Sequence, residues 1–231
     1  MRITLGVVLY AGCAWAQSGI EVPAIGATVD TAGTLRVVQG VAGNFWLGPA
    51  IASEVLSAAC SERMCLAKTD SKILSATGET DAPPGPAIFG LNGNDAIVYF
   101  PESRVFARWH EDALDLLDWR VDGEVFSVRL KEIAVRREGE VSIVHSDGSV
   151  VVSIPDGSGP VLLLPEGVLF ATRDQIVLRR DHRELRLELT GAESITAMGP
   201  HYALVRTGHE IYALRIEAGH EALYQLPGSA P

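Results

Sequence analysis

The 231-residue sequence contains no cluster of Lys and Arg residues. Its 29 acidic residues outnumber its 19 basic ones, so the formal net charge is -10. Nucleic-acid-binding domains usually concentrate positive charge on one face. The sequence therefore predicts no nucleic-acid partner, and the acidic balance is typical of β proteins that resist association.

The linear motifs of common enzyme classes are also absent. The chain has no HExxH, P-loop, GxSxG, dinucleotide-binding glycine fingerprint or paired Cys-x-x-Cys. Aromatic residues make up only 6% of the chain, which argues against a long sugar-stacking surface. We predict no cofactor and no metal site, although catalytic residues scattered over several loops would leave no linear motif.

Cysteine is scarce, and two of the three cysteines lie close together. Cys60 and Cys65 flank Ser-Glu-Arg-Met at the tip of the first clear hairpin. In an oxidising compartment they would form a disulfide that pins this hairpin. A pair of buried free thiols is the alternative. A metal site is disfavoured, because two thiolates without a nearby His cannot complete a zinc site.

The N-terminus has the pattern of a cleaved secretory signal at residues 1–16. Met1-Arg2 is followed by an apolar segment, Ile3 to Cys13, and by Ala14-Trp15-Ala16, so we expect cleavage between Ala16 and Gln17. The apolar segment is too short for a stable membrane span. This predicts an exported protein, periplasmic or secreted. Leu9 to Cys13 also resembles a bacterial lipobox, which would make Cys13 a lipid anchor instead.

The rest of the chain is repetitive. After an expected extended lead-in over residues 17–26, a unit of about four short apolar runs recurs. The second runs are predicted to begin near Val55, Ala96, Ile133, Val168 and Tyr202, at intervals of 41, 37, 35 and 34 residues. First runs such as Val161 to Leu164 are apolar throughout, whereas fourth runs such as Glu184 to Leu189 alternate. This gradient predicts sheets whose first strands are buried on both faces.

These units resemble the β-propeller repeat proteins, in particular exported bacterial propellers with blades of about 40 residues. The resemblance covers roughly Ala27 to Gly228 and implies one all-β domain over residues 27–231. It implies a propeller of five or six four-stranded antiparallel blades. Five units follow Val55, and the hairpin of Ala27 to Asp30 and Thr34 to Val38 would complete a sixth blade or pair with the C-terminal one.

The candidate reactive residues are acids and histidines, most of them at predicted turns. They are His110, Glu111, Asp112, His145, Asp147, Asp181, His182, His201 and His209. Turns require polar residues in any case, and Asp156 to Gly159 is most simply a turn rather than a calcium loop. We therefore predict an exported noncatalytic binding or scaffold module with a protein or glycan partner. The alternative is a propeller hydrolase or lyase with its site at the axial mouth.

Overall fold

The computed structural model describes residues 23–155, 157, 159–181, 183–208 and 210–227, and in these residues it contains strands and no helix. Blade 1 consists of β1 (Ala24–Val29), β2 (Leu35–Val41) and β3 (Asn44–Ala52). Blade 2 consists of β4 (Ser57–Cys60), β5 (Cys65–Lys68), β6 (Lys72–Leu74) and β7 (Glu79–Asp81). Blade 3 consists of β8 (Ile88–Asn92), β9 (Asp95–Phe100), β10 (Val105–His110) and β11 (Ala113–Leu117).

The second half of the chain forms three further blades. Blade 4 consists of β12 (Glu124–Arg129), β13 (Glu132–Arg137), β14 (Glu140–His145) and β15 (Val150–Ile154). Blade 5 consists of β16 (Val161–Leu164), β17 (Gly167–Ala171), β18 (Gln175–Arg180) and β19 (Arg183–Glu188). Blade 6 consists of β20 (Ala192–Gly199), β21 (Tyr202–Thr207), β22 (Ile211–Arg215) and β23 (Ala222–Gln225).

The six sheets are the blades of an antiparallel β-propeller, which confirms the predicted all-β architecture. Five sheets have four strands and blade 1 has three, and every sheet is built from consecutive strands. The first strands of neighbouring blades contact one another around the axis. The N-terminal hairpin therefore belongs to a sixth blade. The alternative, in which it pairs with the C-terminal blade, is wrong because β1, β2 and β3 form a sheet of their own, separate from the sheet of β20 to β23.

The burial of each strand follows the apolar pattern of the sequence. All four residues of β16 are buried, as the continuous run Val161-Leu-Leu-Leu164 predicts. The outer strand β19 alternates between exposed and half-buried residues, which matches its alternating sequence. The core is accordingly divided into clusters between adjacent blades rather than gathered in one centre.

One predicted repeat position is wrong. The second strands of blades 3 to 6 begin within one residue of Ala96, Ile133, Val168 and Tyr202. Val55 instead precedes β4, the first strand of blade 2, whose second strand begins at Cys65. Blade 2 has four strands of only three or four residues each. Because these strands are so short, the predicted start of the second strand falls just before the first strand instead.

The strand β1 runs in the opposite direction to the first strands of the other blades. Gly26, near the start of β1, lies against Met198 near the end of β20. Val29, at the end of β1, accepts a hydrogen bond from Arg206, and Arg206 pairs with Ser194 near the start of β20. The three strands of blade 1 thus have the directions of the second, third and fourth strands of a complete blade.

Blade 1, within the described residues 23–227, consequently has no strand that corresponds to a first strand. At this position β20 and β4 contact each other directly. Ala197 of β20 packs against the apolar cluster that contains Ala59 of β4 and Phe89 of β8. Five parallel first strands therefore surround the axis, and β1 lies against two of them, β20 and β4.

Candidate functional site

Two cavities lie at opposite ends of the axis. The front cavity, at the end where the five first strands begin, has a volume of about 580 Å³. The back cavity, where these strands end, has a volume of about 290 Å³. Phe89, Leu162 and Ala197 line both cavities, so an apolar layer in the middle of the axis separates the two mouths.

The wall of the front cavity is mainly apolar. Its apolar residues come from blades 1 to 6 and include Val29, Val55, Leu56, Ala58, Ile88, Phe89, Val125, Phe126, Leu162, Ile195 and Leu204. Leu56 leaves 49% of its surface exposed at the rim. Pockets for small molecules are typically concave, mostly apolar and about 300 to 1,000 Å³ in volume, so this cavity has the size and the wall of a ligand site.

The charged residues that line the front cavity are Asp30, Glu193 and Arg206. The guanidinium of Arg206 donates hydrogen bonds through Nη2 to the carbonyl oxygen of Val29 and to Oγ1 of Thr28, the latter at 3.3 Å. Both acceptors are neutral. Burial lowers the pKa of Arg206, and the charge of Asp30 partly opposes this shift. The cation is therefore held in place at the wall while remaining short of solvation.

The carboxylate of Asp30 is already engaged by blade 1. It accepts hydrogen bonds from Nε of Arg36 at 2.8 Å and from the backbone N–H groups of Ala32 and Thr34 at 2.9 Å. The hydrogen bond from Arg36 is the main reason that the pKa of Asp30 lies below its usual value. Asp30 thus stabilises the β1–β2 turn, and it forms no ion pair within 4 Å of Arg206 among the described contacts.

Two serine hydroxyls near the axis connect neighbouring blades. Oγ of Ser57 donates to the carbonyl oxygen of Ala87 at 2.7 Å and accepts from the N–H of Ala87 at 2.9 Å. Oγ of Ser127 accepts from the N–H of Leu163 at 3.1 Å. No described histidine lines either cavity. Neither serine therefore has a described histidine beside it in the cavity wall, and both hydroxyls bond to backbone groups of the next blade.

The predicted histidine and acid candidates do not meet at one place. His110 ends β10 in blade 3, and its Nδ1 donates to Oδ1 of Asp95, whose other oxygen, Oδ2, accepts from Arg108. The bond from Arg108, followed by that from His110, lowers the pKa of Asp95. These groups form an exposed cluster on the outer part of one blade, not a wall of the axial cavities.

Two neighbours of His110 have separate structural roles. Asp112 accepts a hydrogen bond from Oγ of Ser75 at 2.6 Å, and its carbonyl oxygen accepts one from Thr80. These bonds tie blade 3 to blade 2. The bond from Ser75, followed by one from Thr77, lowers the pKa of Asp112. Glu111 is exposed in the same turn, 3.5 Å from Nε2 of His110.

The remaining described candidates lie at strand ends or in turns of three different blades. His145 ends β14 of blade 4, and Asp147 accepts hydrogen bonds from Ser149 within the following turn. Asp181 lies in the β18–β19 turn of blade 5, and His201 is exposed in the β20–β21 turn of blade 6. His182, His209 and Asp156 lie outside the described residues. The described candidates thus lie at strand ends and in turns of different blades and do not meet at one place.

Cys60 and Cys65 form a disulfide, as predicted. They face each other as the last pair of the β4–β5 ladder, with Cα atoms 4.0 Å apart. The turn between them is also held by Ser61, which accepts from the N–H of Met64 at 3.2 Å. Cys60 lines the back cavity, so the disulfide fixes one side of that mouth.

The sequence analysis did not single out Arg206, the half-buried cation of the front cavity. It stands at the end of the apolar run Tyr202-Ala-Leu-Val205, and its partners Thr28 and Val29 are 178 and 177 residues away. A charged residue that directly continues a buried strand was the available signal. These contacts depend on ring closure, which a linear motif cannot encode.

Within the described residues, no group of three or more His, Cys, Asp or Glu side chains is arranged to hold a metal ion. The described part of the chain also contains no helix long and apolar enough to cross a membrane.

No known family profile matches the sequence, and no curated protein matches it. Solved structures do resemble it. A protein of unknown function from Bacteroides caccae has a TM-score of 0.55 at 12% identity, over 90% of this chain and 100% of that one. A chain of the nidogen/laminin complex has a TM-score of 0.56 at 11% identity, over 87% and 92%.

A third similar structure is Hsv2 of Kluyveromyces lactis, with a TM-score of 0.48 and 11% identity over 74% of this chain. The chain spans 63% of the length of Hsv2. At these identities the likeness concerns the fold alone. The chain is a six-bladed β-propeller whose candidate site is the front cavity at its axis.

Proposed function

We propose that this protein is a noncatalytic binding module whose ligand occupies the front cavity. The observation that carries the proposal is the mainly apolar axial cavity of about 580 Å³, to which all six blades contribute. Such a cavity can bury most of a small ligand, and its few polar groups can orient that ligand.

The chemistry of the wall supports binding rather than catalysis. Nucleophilic catalysis requires a nucleophile within reach of a base. Ser57 and Ser127 bond to backbone groups instead, and the described histidines lie elsewhere. A hydrolase or lyase site at the axial mouth, the alternative from the sequence, has no such constellation among the described residues.

The neutral fluorophore N-phenyl-1-naphthylamine tests this function. We expect it to bind the folded protein in a one-to-one ratio with a rise in fluorescence, because the cavity offers apolar walls. Ser194→Trp, at the front end of β20, should fill the cavity and weaken binding by about tenfold or more. Ser153→Trp, an exposed position on β15, is the matched control and should leave binding unchanged.

Two results would overturn the proposal. One is the absence of saturable probe binding by the folded protein, and the other is equal binding by the wild type and Ser194→Trp. A broad hydrolase and lactonase screen is run alongside. Turnover that Ser194→Trp abolishes would replace the binding function with the enzymatic one.

We also propose that the protein is exported and that its mature chain begins at Gln17. The segment 1–16 has the sequence pattern of a signal, and disulfides such as Cys60–Cys65 persist mainly in oxidising compartments. Lipidation of Cys13 is the alternative form of export. The protein or glycan partner predicted from the sequence would then meet the loops of the mature domain outside the cytoplasm.

A further inference from the structure

We propose that the ligand of the front cavity is a small amphipathic anion, an apolar body with one carboxylate or sulfonate group, and that Arg206 binds the anionic group. This inference rests on the function proposed above and names the class of ligand for the same site.

The first observation is that Arg206 has no contacting counter-ion. Its Nη2 bonds to a backbone carbonyl and a threonine hydroxyl, and no carboxylate lies within 4 Å in the described structure. Hydrogen bonds to neutral acceptors fix the guanidinium, and the charge of Asp30 offsets its positive charge only in part and without a contact. A planar guanidinium with free donors is well suited to a carboxylate or sulfonate.

The second observation is that the nearby acids do not occupy this position. The two oxygens of Asp30 are bonded to Arg36, Ala32 and Thr34. Glu193 is exposed at the rim of the cavity. An anion inside the cavity would therefore contact Arg206 directly, because the negative charge of Asp30 is already paired with Arg36 and that of Glu193 lies in solvent.

The third observation is the solvation of Arg206. Burial lowers its pKa, which means that the charged form is less well solvated than a free arginine. A bound anion would supply the missing compensation. A neutral ligand would leave this half-buried cation without an anion in contact, which is the costlier arrangement.

The fourth observation is the apolar depth of the cavity below Arg206. The floor is the layer of Phe89, Leu162 and Ala197 that closes the axis. A ligand that placed its charged group at Arg206 could bury its apolar body against Phe89 and Leu162. The cavity thus matches both halves of an amphipathic anion.

A matched pair of probes tests the assignment. 8-Anilinonaphthalene-1-sulfonate has the ring system of N-phenyl-1-naphthylamine with an added sulfonate group. We expect wild-type protein to bind the sulfonate probe about tenfold more tightly than the neutral one. Arg206→Met should remove this preference by weakening the sulfonate probe about tenfold and leaving the neutral probe unchanged, because only the sulfonate group gains a charge-assisted hydrogen bond from Arg206.

Three further variants separate charge from shape. Arg206→Lys should retain most of the preference for the sulfonate probe. Arg186→Met, on the outer strand β19, is the matched control and should change nothing. Glu193→Gln should strengthen binding of the sulfonate probe by about twofold, because it removes a negative charge at the rim, and it does so without disturbing the contacts between blades 1 and 6.

The outcomes distinguish the two proposals. Binding of the neutral probe with no preference for the sulfonate probe, or a preference that survives Arg206→Met, overturns the anion assignment and leaves the binding function standing. Binding of neither probe overturns both. If Arg206→Met does not fold, an unchanged sulfonate affinity in Glu193→Gln overturns the assignment by itself.

Discussion

Gly26 of β1 lies so close to Met198 of β20 that a β-carbon on Gly26 would overlap the carbonyl oxygen of Met198. This approach joins the first blade to the last. On the opposite strand, a β-carbon on Gly199 would meet the carbonyl oxygen of Ile25 in the same way. Ring closure therefore depends on two glycines that let the backbones of β1 and β20 touch.

We expect Gly26→Ala to lower the free energy of unfolding by about 2 kcal/mol or more, because the two strands must separate. Gly43→Ala is the control. Gly43 also has a positive φ, 84°, but no atom lies within 4 Å of an added β-carbon, so its cost should stay near 1 kcal/mol. Urea denaturation measures both, and equal costs would show that backbone conformation rather than blade contact matters at Gly26.

Leu163→Ala in the inner strand β16 should cost about 2 to 5 kcal/mol, because it removes buried surface and leaves a cavity between blades. Leu163 is 7% exposed, whereas Leu116 on β11 is 70% exposed. Leu116→Ala should therefore cost less than about 0.5 kcal/mol. Denaturation midpoints compare the two variants. A small effect at both positions would contradict the burial of β16.

Asp30 should make stability depend on acid pH. Its pKa in the folded protein lies below the ordinary value of an aspartate, mainly through the hydrogen bond from Arg36. A carboxylate with a depressed folded pKa stabilises the fold above its unfolded pKa and loses this contribution as pH falls through the folded value. The stability difference between wild type and Asp30→Asn should thus be constant from neutral pH to about pH 5 and shrink below about pH 4.

This difference is modest, under about 1 kcal/mol at pH 7, because the Arg36 ion pair is partly exposed and screened. Asp118→Asn, with a side chain that is 94% exposed, is the control and should show no such pH dependence. Thermal unfolding between pH 3 and 7 provides the measurement. A stability difference between wild type and Asp30→Asn that increases as the pH falls would contradict this mechanism.

Replacing Cys60 and Cys65 by Ser should cost about 2 kcal/mol or less, because the disulfide closes a short ring and removes little entropy from the unfolded chain. Peptide mapping without reductant should recover the two residues in one linked peptide. Freely alkylated thiols in freshly exported protein would contradict the disulfide in the native compartment.

The intact mass of protein recovered from its native host should correspond to a chain that begins at Gln17. A mass that corresponds to a diacylated N-terminal Cys13 would support the lipoprotein alternative. A chain that still begins at Met1 would contradict both hypotheses, cleavage before Gln17 and lipidation of Cys13.

The sequence predicts the local features of the fold because hairpins and the burial of single strands depend on residues that are close together in the sequence. The run Val161 to Leu164 identifies an inner strand, and the Cys60–Cys65 spacing identifies a bridged hairpin. The reversed direction of β1 could not be predicted in this way. It is defined only relative to β20, about 170 residues further along the chain.

The candidate site was harder to predict for the same reason. The candidate histidines and acids are residue types common in active sites, but those that the structure describes lie in turns, at strand ends and in exposed clusters. Arg206 lines the candidate site where blade 6 meets β1, and there it donates hydrogen bonds to Thr28 and Val29. Its importance is a property of the closed ring and not of the residues beside it.

Every sheet is built from consecutive strands, and this organisation bears on the order in which the molecule folds. Each blade can complete its hydrogen-bond ladder from local contacts as soon as its own residues have left the ribosome, and local contacts form quickly. No ladder has to wait for the other end of the chain. The bond from Arg206 to Val29, which spans 177 residues, needs both ends, so the front cavity would be the last part of the molecule to take shape.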